Sequence, residues 1–228
     1  MTALILSGVV GSTAYGLARE GSDIDRMGVF VAPTLDVAGL DWHPHRESRA
    51  SHDPDVAMHE IGKTLRLMLK CNPTLLEMLH LDDYEVLTDE GRRLVDARSA
   101  FLSEKYVRDS YGGYAKSQAH RLATEERGYF SSNTKNRTAK HGRHLLRLLR
   151  QGRELLSTGS LTVRVSDPEE YWAFDLMSPA QMLDVYAHEN ELFEATSSVL
   201  PTAADRDRVS ALLDSIRAAH LERTTVHA

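Results

Sequence analysis

The sequence predicts an α+β protein in which a small domain of strands and helices precedes a mainly helical domain. Short apolar stretches, rich in β-branched residues and bounded by glycine or proline, cluster in the first 60 residues. From about residue 88 onward, apolar residues recur at helical spacing over long segments. We therefore predict a first domain at residues 1–98 and a helical domain at residues 99–228.

The individual elements follow from apolar spacing between breaker residues. Apolar runs predict strands at residues 3–10, 24–32 and 56–59, with a loop at residues 36–54 and one further short strand at residues 161–165. Helical periodicity predicts helices at residues 60–70, 75–80, 88–97, 104–126, 136–157, 179–199 and 206–223.

The composition is ordinary for a globular protein outside the membrane. The 228 residues are 42% hydrophobic and 26% charged, and no apolar run approaches the roughly 20 residues that span a bilayer. The N-terminal segment lacks the basic region that begins a signal peptide. The single cysteine, Cys71, excludes an intramolecular disulfide and is expected to be buried at a helix end. We expect a cytoplasmic protein.

The net charge of −6 is distributed unevenly. Residues 1–90 contain 7 Lys or Arg and 15 Asp or Glu, residues 101–164 contain 13 and 5, and residues 165–228 contain 4 and 12. The basic middle segment is compatible with binding a polyanion such as RNA, and equally with a solvated helix face.

A glycine turn follows the first predicted strand. Gly11 permits close approach of the backbone to a phosphate, and Ser12 adds a hydroxyl donor. The surrounding residues lack the lysine and spacing of a P-loop, and the frame of a hydrolase nucleophile. The turn is predicted to bind a triphosphate through its backbone N–H groups, at a site that is neither a P-loop nor a hydrolase site.

Two carboxylates begin the second predicted strand. Asp23 and Asp25 lie at i and i+2, so their side chains would leave the same face of a strand. Carboxylate oxygens suit two Mg²⁺ ions, for which Mn²⁺ can substitute. An isolated Asp-x-Asp is usually an ordinary capped turn, but the apolar flanks of Asp25 are a poor place for an idle charge.

A third carboxylate is expected to complete the metal site and activate the attacking hydroxyl. Asp55, at the start of the strand 56–59, is the candidate, and Asp53 and Glu60 are the alternatives.

This order of elements resembles the nucleotidyltransferase superfamily of DNA polymerase beta, whose signature is Gly-Ser, a spacer and Asp-x-Asp. Further matches resemble the predicted nucleotidyltransferases called RlaP or YcgL-like. They are Gly11-Ser12-x-x-Tyr15-Gly16, Ser22-Asp23-Ile24-Asp25 with Gly28-Val29-Phe30, Asp55-Val56 with Glu60, Leu67-Met68-Leu69-Lys70 with Asn72-Pro73, and Lys140-His141 with residues 145–149. The resemblance covers most of the chain. One departure is Cys71, where relatives commonly have glycine.

The resemblance implies a small polymerase-beta-like palm, a mixed sheet with helices, followed by a helical partner domain. It also implies binding of an NTP such as ATP and a link to RNA repair.

Several basic residues could contact phosphates. Lys63 could reach the triphosphate, with a solvated helix face as the alternative. Lys140, His144 and Arg147 fall at i, i+4 and i+7 and predict a polar stripe, with His141 one step around the helix. We predict that Lys140, His141 and Arg147 contact the nucleotide or the acceptor. The histidines lack Cys partners and a His-Glu-x-x-His motif, so no zinc site is expected.

The sequence therefore predicts Mg²⁺-dependent transfer of an NMP from an NTP to an acceptor hydroxyl, with release of pyrophosphate. Asp23, Asp25 and Asp55 would hold the ions, and Asp55 would help deprotonate the acceptor, which we expect to be an RNA end such as that of a tRNA. Two alternatives remain open: a protein or small-molecule hydroxyl as acceptor, and a non-catalytic nucleotide- or RNA-binding module. The sequence does not determine the oligomeric state.

Overall fold

The chain folds as two units, each held together by its own contacts. The computed structural model describes residues 2–40, 42–52, 55–125 and 132–221. Unit 1 comprises Met1–Phe101 and Ala204–Ala228, and unit 2 comprises Leu102–Ala203. The structure thus differs from the division expected at residue 98, because the C-terminal segment returns to the first unit.

The strands all belong to unit 1. They are β1 (Ala3–Val9), β2 (Arg26–Val31), β3 (Ser48–His52), β4 (Asp55–Glu60) and β5 (Val86–Leu87) among the described residues. The α-helices, in chain order, are α1 (Gly11–Ala14), α2 (Thr34–Val37), α3 (Ile61–Met68), α4 (Pro73–Met78), α5 (Asp89–Asp96), α6 (Glu104–Val107), α7 (Gly113–Glu125), α8 (Ser132–Thr158), α9 (Pro168–Trp172), α10 (Pro179–Ala195) and α11 (Arg206–Ala219). Short 3₁₀ turns occur at Pro44–Glu47, Arg98–Phe101 and Ala173–Leu176, and a π-helical turn at Arg108–Gly112 joins α6 to α7.

The five strands form one mixed sheet in the order β3-β4-β2-β1-β5. β1 runs antiparallel to β2 and β5, β3 runs antiparallel to β4, and β2 and β4 are parallel. In the parallel pair, Arg26 lies opposite Val56. The mixed sheet followed by helices confirms the predicted fold class.

The core of unit 1 lies around the central strands. Residues 27–31 of β2 are all buried, which is typical of a strand covered on both faces. Helix α3 packs one side of its surface into this core through Ile61, Leu65 and Met68. Burying each such side chain stabilises the fold by about 1.5–3 kcal/mol.

Cys71 occupies the corner between α3 and α4 in a left-handed backbone conformation. Its φ is 50°, and its side chain is fully buried. Glycine is the residue that adopts this conformation without a steric penalty. The prediction of a buried helix-end cysteine is confirmed, and the conformation explains why a glycine would fit the same position.

Helix α11 packs on unit 1 and completes it. Its apolar residues Val209, Leu212 and Ile216 are buried, and the Thr34 hydroxyl donates to the Arg217 carbonyl at 2.7 Å. Arg217 Nη1 lies 2.7 Å from Glu60 Oε1, and both side chains are largely buried. The last helix is therefore part of the sheet-containing unit and not of the helical one.

Unit 2 is built on the long helix α8, which contacts α7 and α10. The leucines of α8 at positions 145, 146, 148, 149, 155 and 156 are buried, so more than one side of the helix is covered. None of the described helices is long and apolar enough to cross a bilayer.

Most predicted elements are confirmed within a few residues, but two are wrong. Residues 161–165 form no strand, and the predicted loop at residues 36–54 contains β3. β3 is an edge strand whose ladder partner is β4. An edge strand of this kind needs no apolar alternation, and the polar sequence Ser48-Arg49-Ala50-Ser51-His52 shows none.

Candidate active site

The glycine turn directly follows β1 and faces the start of β2. Val10 donates its backbone N–H to the Asp25 carbonyl at 2.9 Å, which extends the β1–β2 ladder one position beyond the pair Val9–Arg26. Gly11 then begins α1 with φ +67°. Gly11 and Asp25 are thereby brought together at the end of two paired strands.

The Asp25 carboxylate lies directly against the Gly11 backbone. A Cβ at position 11 would lie 2.1 Å from Asp25 Oδ2 and 3.0 Å from Asp25 Cγ. The carboxylate therefore occupies the space that any other side chain at position 11 would need, and the positive φ independently favours glycine. The predicted need for glycine in the turn has a specific cause, which is the close approach of a carboxylate.

Asp23 and Asp25 lie just before β2, so the prediction that they are on the strand was wrong. β2 begins at Arg26, Asp25 is half-buried, and Asp23 is exposed. The physical reason is that β1 ends at Val9 and the chain turns into α1, which leaves the residues before Asp25 without a neighbouring strand on that side.

Asp55 begins β4, at the same end of the sheet as Asp25. Arg26 and Val56 are paired in the parallel ladder, and Asp25 and Asp55 are the residues that immediately precede them. The structure thus brings Gly11 and Asp25 into contact and places Asp55 at the same end of the adjacent strand.

The two alternatives for the third carboxylate have different outcomes. Glu60 lies at the other end of β4 and is 1% exposed. It caps α3 by accepting the Gly62 N–H at 2.7 Å and pairs with Arg217, so its role is structural. Asp53 lies outside the described residues.

The donor set at this end of the sheet suits a hard divalent cation. Asp23, Asp25 and Asp55 offer only carboxylate oxygens, which Mg²⁺ and Mn²⁺ both prefer. In the ranges that the structure describes, no three Asp, Glu, His or Cys side chains converge into a ready-made metal cage. The residues therefore fit the metal by the chemistry of their oxygens, and Asp25 and Asp55 lie at the same end of adjacent strands.

Comparison with known proteins decides the family. The model of a family described as "RlaP: RNA repair pathway DNA polymerase beta family" matches residues 2–222. This chain belongs to the RlaP family. It is therefore a nucleotidyltransferase of the DNA polymerase beta type, and the resemblance seen in the sequence motifs is confirmed.

One solved structure is a distant match. It is the crystal structure of a nucleotidyltransferase-like protein from Exiguobacterium sibiricum 255-15, at 13% identity and a TM-score of 0.29, with 96% of this chain and 72% of that chain covered. A TM-score that low carries no argument, so the RlaP assignment rests on the family model. None of the curated proteins matches the chain significantly.

Sequence reasoning missed a pair of hydrogen-bonded residues behind the Gly11–Ser12 turn of this RlaP family member. The Tyr15 hydroxyl donates to Glu77 Oε2 at 2.7 Å, and Glu77 is 1% exposed. The available signal was a lone charge inside the apolar run Leu75-Leu76-Glu77-Met78-Leu79.

Lys63 is not brought to the glycine turn. Its ammonium donates to the Ser48 hydroxyl at 2.5 Å, and Ser48 is paired with His59 in the β3–β4 ladder. His59 lies four residues from Asp55 along β4, roughly 13 Å away. Burial and the nearby Lys63 charge both lower the pKa of His59. Lys63 therefore lies near the opposite end of β4 from Asp55.

The predicted polar stripe on α8 is exposed only at Lys140, since His144 is half-buried and Arg147 is buried. Lys140 is exposed, but Arg147 is 4% exposed and donates to Gln151 at 2.7 Å and to His144 Nδ1 at 2.9 Å. His141 Nδ1 lies 2.7 Å from Gln118 Oε1. The cause is that α8 is covered on several sides, so i, i+4, i+7 spacing did not identify its exposed face.

Part of the basic charge of the middle segment is paired inside unit 2. Arg143 pairs with Asp175, Arg150 pairs with Glu170 and Glu189, and Arg153 shares Glu189 at 2.9 Å. Unit 2 as a whole contains 13 Lys or Arg and 13 Asp or Glu. The charge asymmetry seen along the sequence therefore cancels within the folded unit.

We expect His144 to make the protein less stable in acid. Burial, followed by the neighbouring charges of His141 and Lys140, lowers the pKa of His144 to about 4. Between pH 6.5 and 4 the unfolded chain binds a proton at this residue that the folded protein does not, so stability falls as the pH falls through this window. The expected loss from pH 7 to pH 5 is about 1–2 kcal/mol.

The measurement is urea unfolding of the full chain at pH 7, 6 and 5. His144→Gln should lose less stability on acidification than the wild type, whereas His188→Gln, at an exposed position of α10, should follow the wild type. Equal acid sensitivity of all three proteins would contradict the assignment.

Proposed function

We propose that this RlaP protein transfers an NMP from a Mg²⁺-bound NTP to a hydroxyl at an RNA end. The observation that carries the proposal is the Asp25 carboxylate packed against the Gly11 backbone. It lies so close that a Cβ added at position 11 would be 2.1 Å from Asp25 Oδ2. A carboxylate held against a glycine turn would bind a cation beside the backbone that would receive the phosphates.

Each predicted residue has a separate role in this proposal. Asp23 and Asp25 would hold two Mg²⁺ ions, and Asp55 would hold one of them. When bound, the ions would neutralise charge on the triphosphate and stabilise the departing pyrophosphate. The backbone of Gly11 and Ser12 would donate hydrogen bonds to the β- and γ-phosphates, because the first N–H groups of a helix have no partners within it.

The reaction is a single displacement at the α-phosphorus. The acceptor oxygen forms a bond to the α-phosphorus while the bond from that phosphorus to the oxygen bridging to the β-phosphate breaks. Pyrophosphate leaves, and the proton of the acceptor hydroxyl passes to the Asp55 carboxylate or, through it, to water. Asp55 is exposed at the start of β4, so an acceptor can approach it from solvent.

RNA is favoured as the acceptor by the family description, which names an RNA repair pathway. The basic segment of unit 2 adds little support, because Arg143, Arg150 and Arg153 are paired internally and unit 2 has equal numbers of basic and acidic residues. Among the basic residues singled out in the sequence, the exposed Lys140 remains a candidate for contact with RNA phosphates, together with His141. Phosphate contacts of this kind would weaken as salt increases.

The test is label transfer from each of four α-³²P NTPs with Mg²⁺. Pooled tRNA, a small-molecule hydroxyl and the protein alone are offered as acceptors. Label on RNA would support the proposal and identify which nucleotide is transferred. Label on protein or on the small molecule would show that the acceptor is not RNA.

Two substitutions make this test specific. Asp25→Asn should abolish transfer, by at least about 100-fold, because a neutral amide is a poor ligand for the cation. Asp214→Asn removes an exposed carboxylate from α11 of the same unit and should leave transfer unchanged. Equal activity of both variants would exclude the metal site assigned here.

A further inference from the structure

A buried carboxylate lies behind the glycine turn. Glu77 is on α4 between Leu76 and Met78, and only 1% of its surface is exposed. An ionised carboxylate is costly to bury unless hydrogen-bond donors or cations compensate for the lost water. Leucine or methionine would fill such a position at less cost, so Glu77 points to a role other than packing.

Glu77 contacts Tyr15, the residue that directly follows α1. The Tyr15 hydroxyl donates to Glu77 Oε2 at 2.7 Å, in a partly buried setting. The distance is typical of a hydrogen bond from a hydroxyl group to an oxygen acceptor. This contact joins α4 to the helix that begins with Gly11.

The backbone of Tyr15 is hydrogen-bonded to the Gly11–Ser12 turn. Its N–H donates to the Gly11 carbonyl at 3.1 Å, and two residues later the Leu17 N–H donates to the Ser12 carbonyl at 2.8 Å. Helix α1 has only four residues, too few to fix its own orientation. The direction of the Gly11 and Ser12 backbone therefore depends on anchors outside the helix, and the Tyr15 side chain is one.

The start of α4 fixes the position of Glu77. Asn72 caps α4 by accepting the Leu75 N–H at 3.2 Å, and Pro73 occupies its first turn. The residues Asn72-Pro73 and Gly11-Ser12-x-x-Tyr15 thus belong to one connected structure, although they are far apart in the sequence.

We infer that Glu77, acting through the Tyr15 hydroxyl, positions the Gly11–Ser12 turn for binding of a nucleoside triphosphate. The inference rests on the proposed function, which assigns the phosphates to this turn. Glu77 is a positioning residue, because it is buried and acts through Tyr15. The expected consequence is an effect on triphosphate affinity that exceeds any effect on the chemical step.

The first test is Tyr15→Phe, which removes the hydroxyl and keeps the ring. The dissociation constant for a non-hydrolysable NTP with Mg²⁺, and KM for the NTP, should both rise up to about tenfold, the effect of losing one hydrogen bond. The value of kcat should change less than about threefold, because the turn holds the phosphates in the ground state and the transition state alike.

Tyr84→Phe is the matched control. The Tyr84 hydroxyl donates to the Met78 carbonyl at 2.9 Å, at the C-terminal end of the same helix. Its loss removes one hydroxyl contact to α4 without touching the turn. Nucleotide affinity should stay at the wild-type value, even if the melting temperature falls as much as in Tyr15→Phe.

Substitutions of Glu77 complete the experiment. Glu77→Gln keeps an acceptor for the Tyr15 hydroxyl and should raise the dissociation constant less than Glu77→Leu does. The double variant Tyr15→Phe with Glu77→Leu should bind no more weakly than the weaker single variant, because both remove the same contact.

The outcomes separate this inference from the proposed function. Suppose that the wild-type protein binds the nucleotide. If Tyr15→Phe then binds it equally well, or if Tyr84→Phe loses as much nucleotide affinity as Tyr15→Phe, the role of Glu77 alone is overturned. Folded wild-type protein that binds no NTP with Mg²⁺ would overturn the proposed function and this inference with it.

Discussion

Gly11→Ala is expected to reduce nucleotidyl transfer by about 100-fold, the effect of displacing reacting groups by around 1 Å. The added methyl group would lie 2.1 Å from Asp25 Oδ2, a distance that real atoms do not tolerate. Either the carboxylate or the turn must move, and each belongs to the proposed site. The measurement is the rate of label transfer, with the dissociation constant for a non-hydrolysable NTP measured beside it.

Gly21→Ala provides the control for backbone strain. Gly21 has φ +80°, close to the φ +67° of Gly11, but a Cβ there would meet nothing within 4 Å. Both variants carry the cost of a left-handed alanine, roughly 1–2 kcal/mol, and only Gly11→Ala adds the clash. If both lost activity equally, the effect would come from backbone strain and not from the contact with Asp25.

Arg217→Leu is expected to lower the free energy of unfolding by about 3–5 kcal/mol, because it leaves a buried carboxylate without its cation. Arg217 lies 2.7 Å from Glu60, whose side chain is 2% exposed. Its guanidinium also donates to the Ala32 carbonyl at 3.3 Å. The measurement is denaturant unfolding followed by circular dichroism.

Arg208→Leu on the same helix is the matched control. Arg208 is exposed and donates to the Asp96 carbonyl at 3.3 Å, so its loss should cost less than about 1 kcal/mol. Adding Glu60→Gln to Arg217→Leu should recover part of the lost stability, since no charge then remains buried. A loss in Arg217→Leu no larger than in Arg208→Leu would contradict a stabilising role for the pair.

The fold class and the core of the site could be predicted because local signals agree there. Each feature can be recognised from a few consecutive residues. These features are the apolar strand β1, the glycine at a sharp turn, and the aspartates ahead of a second apolar strand. The expectation that the strand after Asp55 lies next to the strand after Asp25 is confirmed by the parallel pairing of β2 with β4. These features depend on contacts between elements whose own sequences are informative.

Other features depend on contacts that no local pattern records. The burial of Arg147 follows from helices that cover α8 on several sides, and the spacing along α8 is the same whether or not they do. The bond between Tyr15 and Glu77 joins residues from separate elements. The return of α11 to unit 1 is likewise decided by its partner, since its amphipathic pattern would suit either unit.

The path of the chain through unit 2 makes that unit an insertion. In unit 1, the Asp205 N–H donates to the Ala100 carbonyl at 2.9 Å, and in unit 2 the Glu104 N–H donates to the Pro201 carbonyl at 3.0 Å. The two crossing segments thus leave and rejoin the sheet unit at neighbouring points. A turn of a few residues could connect the two segments of unit 1, which are close in space although residues 102–203 separate them in the sequence. Truncation after residue 98 would instead remove α11 and expose the Glu60 carboxylate that Arg217 neutralises.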